Sequence, residues 1–181
     1  MGVIAFQTYK PPEWFTSYET SNSFTGSQNW QNVTVRSIIP ASLWDASGTK
    51  LRVTISGAPN PTGYRMGNFY FGEKASSGDP WDTQTDPDQV TWGGGNQTQD
   101  VSSDDVVSDE MNIAVDHTKD YIFSFYFSTV AGIYVPTGST TEYVVYLRSL
   151  GDFSSIRNPT GFAILAPGIK PICVKKIEVS S

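Results

Sequence analysis

The sequence predicts an all-β protein, an antiparallel β-sandwich with an extended N-terminal arm. Helical periodicity is nearly absent, short apolar or alternating runs recur along the chain, and clusters of Gly, Pro, Asn and Ser separate them. The predicted strands are Val33–Ile39, Leu51–Ser56, Asn68–Lys74, Gln89–Trp92, Met111–Val115, Tyr121–Ser128, Thr141–Leu147, Gly161–Leu165 and Ile172–Val179. DASGTK, SGAPNPTGY, GEKASSGDP, VPTGST and LAPGIKP stand between them, and the prolines fall in these breaks, because a ladder needs the N–H that proline lacks.

Residues 1–30 differ from the rest. Tyr9, Trp14, Phe15, Tyr18, Phe24 and Trp30 are scattered among Ser, Thr, Asn and Pro without a period, and Lys10-Pro11-Pro12 sets an extended turn. Such a segment builds no core alone. It is expected to lie, as an arm or edge segment, against the single sandwich domain of residues 31–181 or against a partner. Within that domain Leu51, Val53 and Ile55 alternate with Arg52, Thr54 and Ser56, the pattern of a strand with one buried and one wet face. Tyr121-Ile-Phe-Ser-Phe-Tyr-Phe is apolar on both faces apart from Ser124, which predicts a central strand covered on both sides or one whose outer face meets a neighbouring chain.

The 181 residues suit one domain, and a 38 % hydrophobic, 13 % aromatic composition is enough to fill its interior. Net charge is −6 with only 12 Lys and Arg, which argues against nucleic-acid binding, since phosphates call for clustered cations. The charge is uneven. Residues 73–120 hold 12 of the 18 acids against Lys74 and Lys119, a balance of −10 that leaves +4 elsewhere. That asymmetry admits either contact between copies or a cation-binding loop.

Cys173 is alone, so no intramolecular disulfide forms, and between Ile172 and Val174 it reads as a buried structural thiol. His117 is the sole histidine, and with Cys173 it makes too few soft ligands for zinc. MGVIAFQTYKPPEW lacks the basic start and apolar core of a secretory signal, no run approaches the ~18 apolar residues of a membrane span, and Phe6 breaks the myristoylation pattern. The expectation is a protein made in a cytoplasm, with no membrane insertion.

Catalytic motifs are missing where chemistry would need them. There is no Gly-x-Ser-x-Gly and no phosphate-loop Gly-x-x-x-x-Gly-Lys, and Trp92-Gly93-Gly94-Gly95-Asn96 lacks the strand–helix context of a dinucleotide site. His117, with Asp116 and Asp120 nearby, reads as a solvated turn residue. Two acidic segments remain: Asp79, Asp82, Asp86 and Asp88, then Asp100, Asp104, Asp105, Asp109 and Glu110. They fit no EF-hand spacing, and nothing fixes two carboxylates across a glycosidase cleft. Solvated edges that discourage strand pairing are the favoured reading; no cofactor is expected, and a structural calcium is the one metal the oxygen ligands suit.

Three stretches carry a resemblance: MGNFYFGEKASSGDPWD, DQVTWGGGNQTQDVSSDDVVSDEMNIAVD and KDYIFSFYFS, all within Tyr64–Ser128, with VKKIEVSS at the close. Together they resemble a β-sandwich module of bacteriophage virion proteins and prophage products, similar to the jelly-roll domain that precedes the catalytic part of some SGNH-type esterases. The resemblance implies a jelly-roll-like sandwich acting as an accessory. Gly151-Asp152-Phe153 departs from the Gly-Asp-Ser nucleophile motif of those esterases, so no active site carries over. It also implies that Trp92 ends a strand, that Gly93, Gly94 and Gly95 turn the chain with positive φ, and that the following acids form a wet connection.

The expected function is that of a non-catalytic structural or decorating component of a phage particle, contacting other virion proteins and forming a homo-oligomer such as a trimer. The alternative is a carbohydrate-binding module for host surface glycan. Contact residues for either are Trp14, Phe15, Tyr18, Trp81, Trp92 and Tyr134, rings of the kind that anchor interfaces and sugars.

Overall fold

In the computed structural model the described residues are 11–20, 24–57, 63–128, 131–136, 144–164 and 174–181, with 24–30 and 131–136 described by backbone alone. Among them are β1 (Phe15–Glu19), β2 (Phe24–Trp30), β3 (Val33–Ile39), β4 (Lys50–Ile55), β5 (Tyr64–Glu73), β6 (Asp88–Val90) and β7 (Gln99–Val101), then β8 (Val106–Val107), β9 (Tyr121–Phe127), β10 (Ala131–Pro136), β11 (Val144–Ser149), β12 (Ala163–Ile164) and β13 (Val174–Ser180). A 3-10 turn, Ala41–Leu43, follows β3. The fold is an all-β antiparallel sandwich. One sheet has the order β1-β13-β4-β8; the other runs β12-β11-β3-β9-β5-β6, with β7 also paired to β5; β10 and β2 form a separate ribbon.

Alternation decides which way each strand faces. In β4, Leu51, Val53 and Ile55 are fully buried and meet Ile177 and Val179 of β13 in the same layer. In the opposing sheet, Val35 of β3, Phe69 and Phe71 of β5, and Tyr121, Phe123, Phe125 and Phe127 of β9 point inward. These rings stack in series: Phe71 on Tyr121 at 4.9 Å, Phe69 on Phe125 at 4.5 Å, and Trp92 on Phe69 at 6.0 Å between centroids. Each buried ring contributes about 1.5–3 kcal/mol from area alone. β9 is central, between β3 and β5, as its apolar run predicts.

Its outer face is covered too. Ile38, Ile122, Tyr146 and Phe162 form a second apolar cluster, joined by Trp81 and Phe153 from the loops that lie over the seven-stranded sheet. Arg36 pins this cover. Its side chain is fully buried, and its guanidinium donates to the carbonyl oxygens of Trp81 (2.6 Å), Ile156, Phe153, Ser154 and Arg157, while Nε reaches Ser124 Oγ at 3.2 Å. Burial, partly offset by Asp82, lowers its pKa to about 10, so the group stays cationic at neutral pH.

The structure contains strands that the sequence does not predict, namely β1, β2, β7, β8 and β10, and lacks one that is expected. Residues 15–19, within the segment expected as an arm or edge segment, are an edge strand of the four-stranded sheet, and residues 24–30 a strand of the ribbon. A bulge between Thr16 and Tyr18 buries both Ser17 and Tyr18, and Asp45 N–H closes on Ser17 O at 2.8 Å, which shields part of the β1 edge. Met111–Val115 is not a strand: its ladder pairing is limited to the isolated bridges Leu51↔Met111 and Gly48↔Val115, while Met111, Ile113 and Val115 pack on the core and Asn112 and Ala114 are exposed. Cys173 lies outside the described residues.

Candidate functional site

The outer face of the four-stranded sheet holds a groove of about 390 Å³ lined by Glu19, Arg52, Thr54, Asp105, Val107, Lys175, Lys176 and Glu178. Cross-strand register builds it. Glu19 pairs with Lys176, Lys176 with Thr54, and Thr54 with Val107, so one row crosses all four strands; Glu178 and Arg52 pair in the next row. A bulge between Val174 and Lys176 breaks the alternation of β13, which lets consecutive lysines 175 and 176 both line the groove.

The groove carries three cations and three carboxylates. Arg52 grips Glu178 through both nitrogens, Nε to Oε2 at 2.8 Å and Nη2 to Oε1 at 3.0 Å, and Lys176 Nζ adds a contact at 3.2 Å. These donors, the Arg52 hydrogen bond foremost, hold the Glu178 carboxyl below its ordinary range. Lys175 Nζ meets Asp105 Oδ2 at 2.5 Å, and Gly57 N–H donates to Asp105 Oδ1 at 3.1 Å. Partial burial works to raise the Asp105 pKa; the hydrogen bonds from Lys175 and Gly57 outweigh it and the net direction is down. At the rim the Trp14 ring stacks on the Arg52 guanidinium, 4.4 Å from its centroid. Val107, across the groove, is 48 % exposed.

Of the six residues singled out in the sequence, the structure brings Trp14 to this face, through its contact with Arg52. Phe15 pairs with the buried Val179, so its ring lies on the other side of the edge strand, 48 % exposed. Tyr18 is not a surface contact, since the bulge turns it into the core beside Trp44. Trp92 is fully buried under Phe69 and presents no ring face to solvent. Trp81 is half-buried in the second cluster, edge-on to Tyr146 at 5.1 Å, with Nε1–H donating to Pro159 O at 2.7 Å. Tyr134 lies in β10, where the description stops at the backbone. The groove residues Lys175, Lys176 and Glu178 were not singled out; their only signal is the charged alternation of VKKIEVSS, matched by the wet face of the β4 run.

The acidic stretch resolves into separate structural duties. Asp109 accepts from Gly94 N–H (2.9 Å), Gly95 N–H (2.8 Å) and Thr91 Oγ1 (2.8 Å), fastening a turn in which Gly93, Gly94 and Gly95 all have positive φ. Those bonds, led by Gly94, lower the Asp109 pKa. Glu110 pairs with Lys50, and Asp100 with Arg65 at 3.7 Å. Among the described residues no three His, Cys, Asp or Glu side chains gather as a metal-binding group. His117 shares a hydrogen bond with Ser47 Oγ at 2.8 Å on the surface, and Asp152 is tied to Ser154 N–H and Asn68 Nδ2. No protein-family model and no curated protein matches this chain.

Proposed function

We propose that this chain is a non-catalytic structural or decorating protein of a bacteriophage particle, made in the host cytoplasm, that binds other virion proteins through the groove of its four-stranded sheet. The groove carries the reading. Five of the six charged side chains, of both signs, are already paired at 2.5–3.2 Å, and the Trp14 ring on Arg52 and the exposed Val107 add apolar surface beside them. A surface of this kind reads the charge pattern of a protein partner, with the apolar groups as anchors and the ions setting register. The assignment to a phage particle is supported by the resemblance of residues 64–128 and of the closing strand.

The test is incorporation. Purified particles are expected to contain the chain at fixed stoichiometry, and Lys175→Glu combined with Lys176→Glu is expected to lower that occupancy by about tenfold or more, as like charges meet across the contact. Unchanged occupancy would reject the groove; absence from particles would reject the setting. The second reading, a module for host glycan, draws on the Trp14 ring beside the Arg52–Glu178 hydrogen-bonding pair, with Trp81 and Tyr134 as further rings. It predicts retention on a glycan array that Trp14→Ala abolishes. Neither reading calls on a metal, so a chelator is expected to leave the melting temperature unchanged, and a drop would instead reveal a structural calcium.

A further inference from the structure

The turn that leaves β11 puts a leucine side chain into solvent from a left-handed backbone. Leu150 has φ +68° and is 83 % exposed, the most exposed of the large apolar residues described. The left-handed region suits Gly or Asn; a leucine there is strained, and an aliphatic side chain in water gains nothing from it. The backbone is held in place: Leu150 N–H and Gly151 N–H both donate to Asn32 O, at 2.8 and 3.3 Å. Asn32, at φ +53°, is the other described non-glycine residue with positive φ. The bonds to Asn32 O need the left-handed backbone, which Gly or Asn would supply more easily, and not the leucine side chain, so the side chain is placed for something outside the turn.

We propose that Leu150 is the aliphatic anchor by which one copy of this chain docks into the groove of a second copy. This rests on the reading of that groove as a protein-contact surface. The groove sets an aliphatic side chain, Val107, among its charges, and its 390 Å³ holds a leucine side chain with room to spare. Two residues to either side of the anchor stand Arg148 and Asp152, a cation and a carboxylate that the groove's Glu19, Asp105 and lysines complement. Leu150 is exposed, so its own groove does not hold it. The contact therefore joins two different surfaces on two copies, and repetition gives a closed ring or a stack.

The experiment follows association of the full-length chain by sedimentation velocity over a concentration series. The parent is expected to associate, and Leu150→Asn to weaken association by about tenfold or more. The melting temperature of that variant should hold or rise by about 2 °C, because asparagine tolerates the left-handed backbone. Val107→Asn is also expected to stay monomeric alone. Mixed in equal amounts, the two variants regain one intact anchor and one intact groove, and should form a dimer that grows no further. Parent-like association of Leu150→Asn, a clear fall in its melting temperature, or a mixture that stays monomeric would each overturn the contact. A parent that is monomeric at every concentration overturns it too, while particle incorporation still decides the groove reading independently.

Discussion

The two sheets treat arginine in opposite ways. On the four-stranded sheet Arg52 lies about a third in solvent, bidentate to Glu178 and stacked by Trp14. On the seven-stranded sheet Arg36 lies under the loop cover, without solvent exposure, among five backbone carbonyls. Water competes for every contact Arg52 makes and would replace most of them if they were lost. It does not reach Arg36, where each contact is one the cover cannot do without. One arginine is therefore available for recognition and the other is committed to folding.

The largest test of that contrast is Arg36→Met. Methionine fills part of the volume but takes away the donor to the carbonyls of Trp81, Ser154 and Ile156, while Phe153 O and Arg157 O keep the backbone donors Ile156 N–H and Thr83 N–H. The expected loss in urea unfolding is about 3–5 kcal/mol, the range for removing one member of a buried charged network. Because the cover carries Trp81, its fluorescence should shift to the red before the main transition, as the second cluster opens to water. A loss under about 1 kcal/mol would mean that apolar packing of Ile122, Tyr146 and Phe162 holds the cover unaided.

This contrast was hidden in the sequence for a physical reason. VTVRSII predicts β3 with its observed bounds, yet within an alternating strand Arg36 looks like any wet-face residue. Its burial depends on residues 153–157, more than 115 positions away, and no local pattern encodes that approach. β9 was legible because its apolar residues on both faces require cover on both. Arg52 was legible as a wet-face residue because β4 alternates cleanly, but its partner Glu178 comes from the other end of the chain. Tyr18 and Trp92 misled for the same reason: a ring's identity says that it will be buried somewhere, and only a bulge or a register decides whether that is the core or a contact.

A smaller effect separates the turn at Gly93–Gly95 from the groove by pH. Asp109 and Glu178 both have folded pKa values below their unfolded ones, near about 3.9 and 4.3. Carboxylates of this kind stabilise the fold above the unfolded pKa, and the contribution is lost as pH falls through the folded pKa. The urea midpoint should therefore fall as pH drops from about 5 toward 3. Asp109→Asn is expected to cost no more than about 1 kcal/mol at neutral pH, since solvent screens this partly exposed group, and to flatten part of that acid slope. A slope identical to the parent's would assign the acid response to Glu178 and the other carboxylates.

The smallest expected effect is the most informative about the groove. Arg52→Gln removes the bidentate pair and the cation under Trp14, yet leaves Glu178 with Lys176 at 3.2 Å. Arg52 is 32 % exposed and Glu178 11 %, but the Lys176 contact keeps the carboxylate paired, so the expected loss is about 1 kcal/mol. The difference between variant and parent should shrink further in 1 M salt, where the Debye length is about 3 Å. The Arg36→Met loss, made of desolvated contacts, should persist at the same ionic strength. If Arg52→Gln instead destabilised the chain as strongly as Arg36→Met and did so in high salt, the groove would be part of the folding core, and its charges would be unavailable for a partner. If it leaves stability almost unchanged while lowering particle incorporation, the fold does not depend on those ions, and what they recognise lies outside the chain.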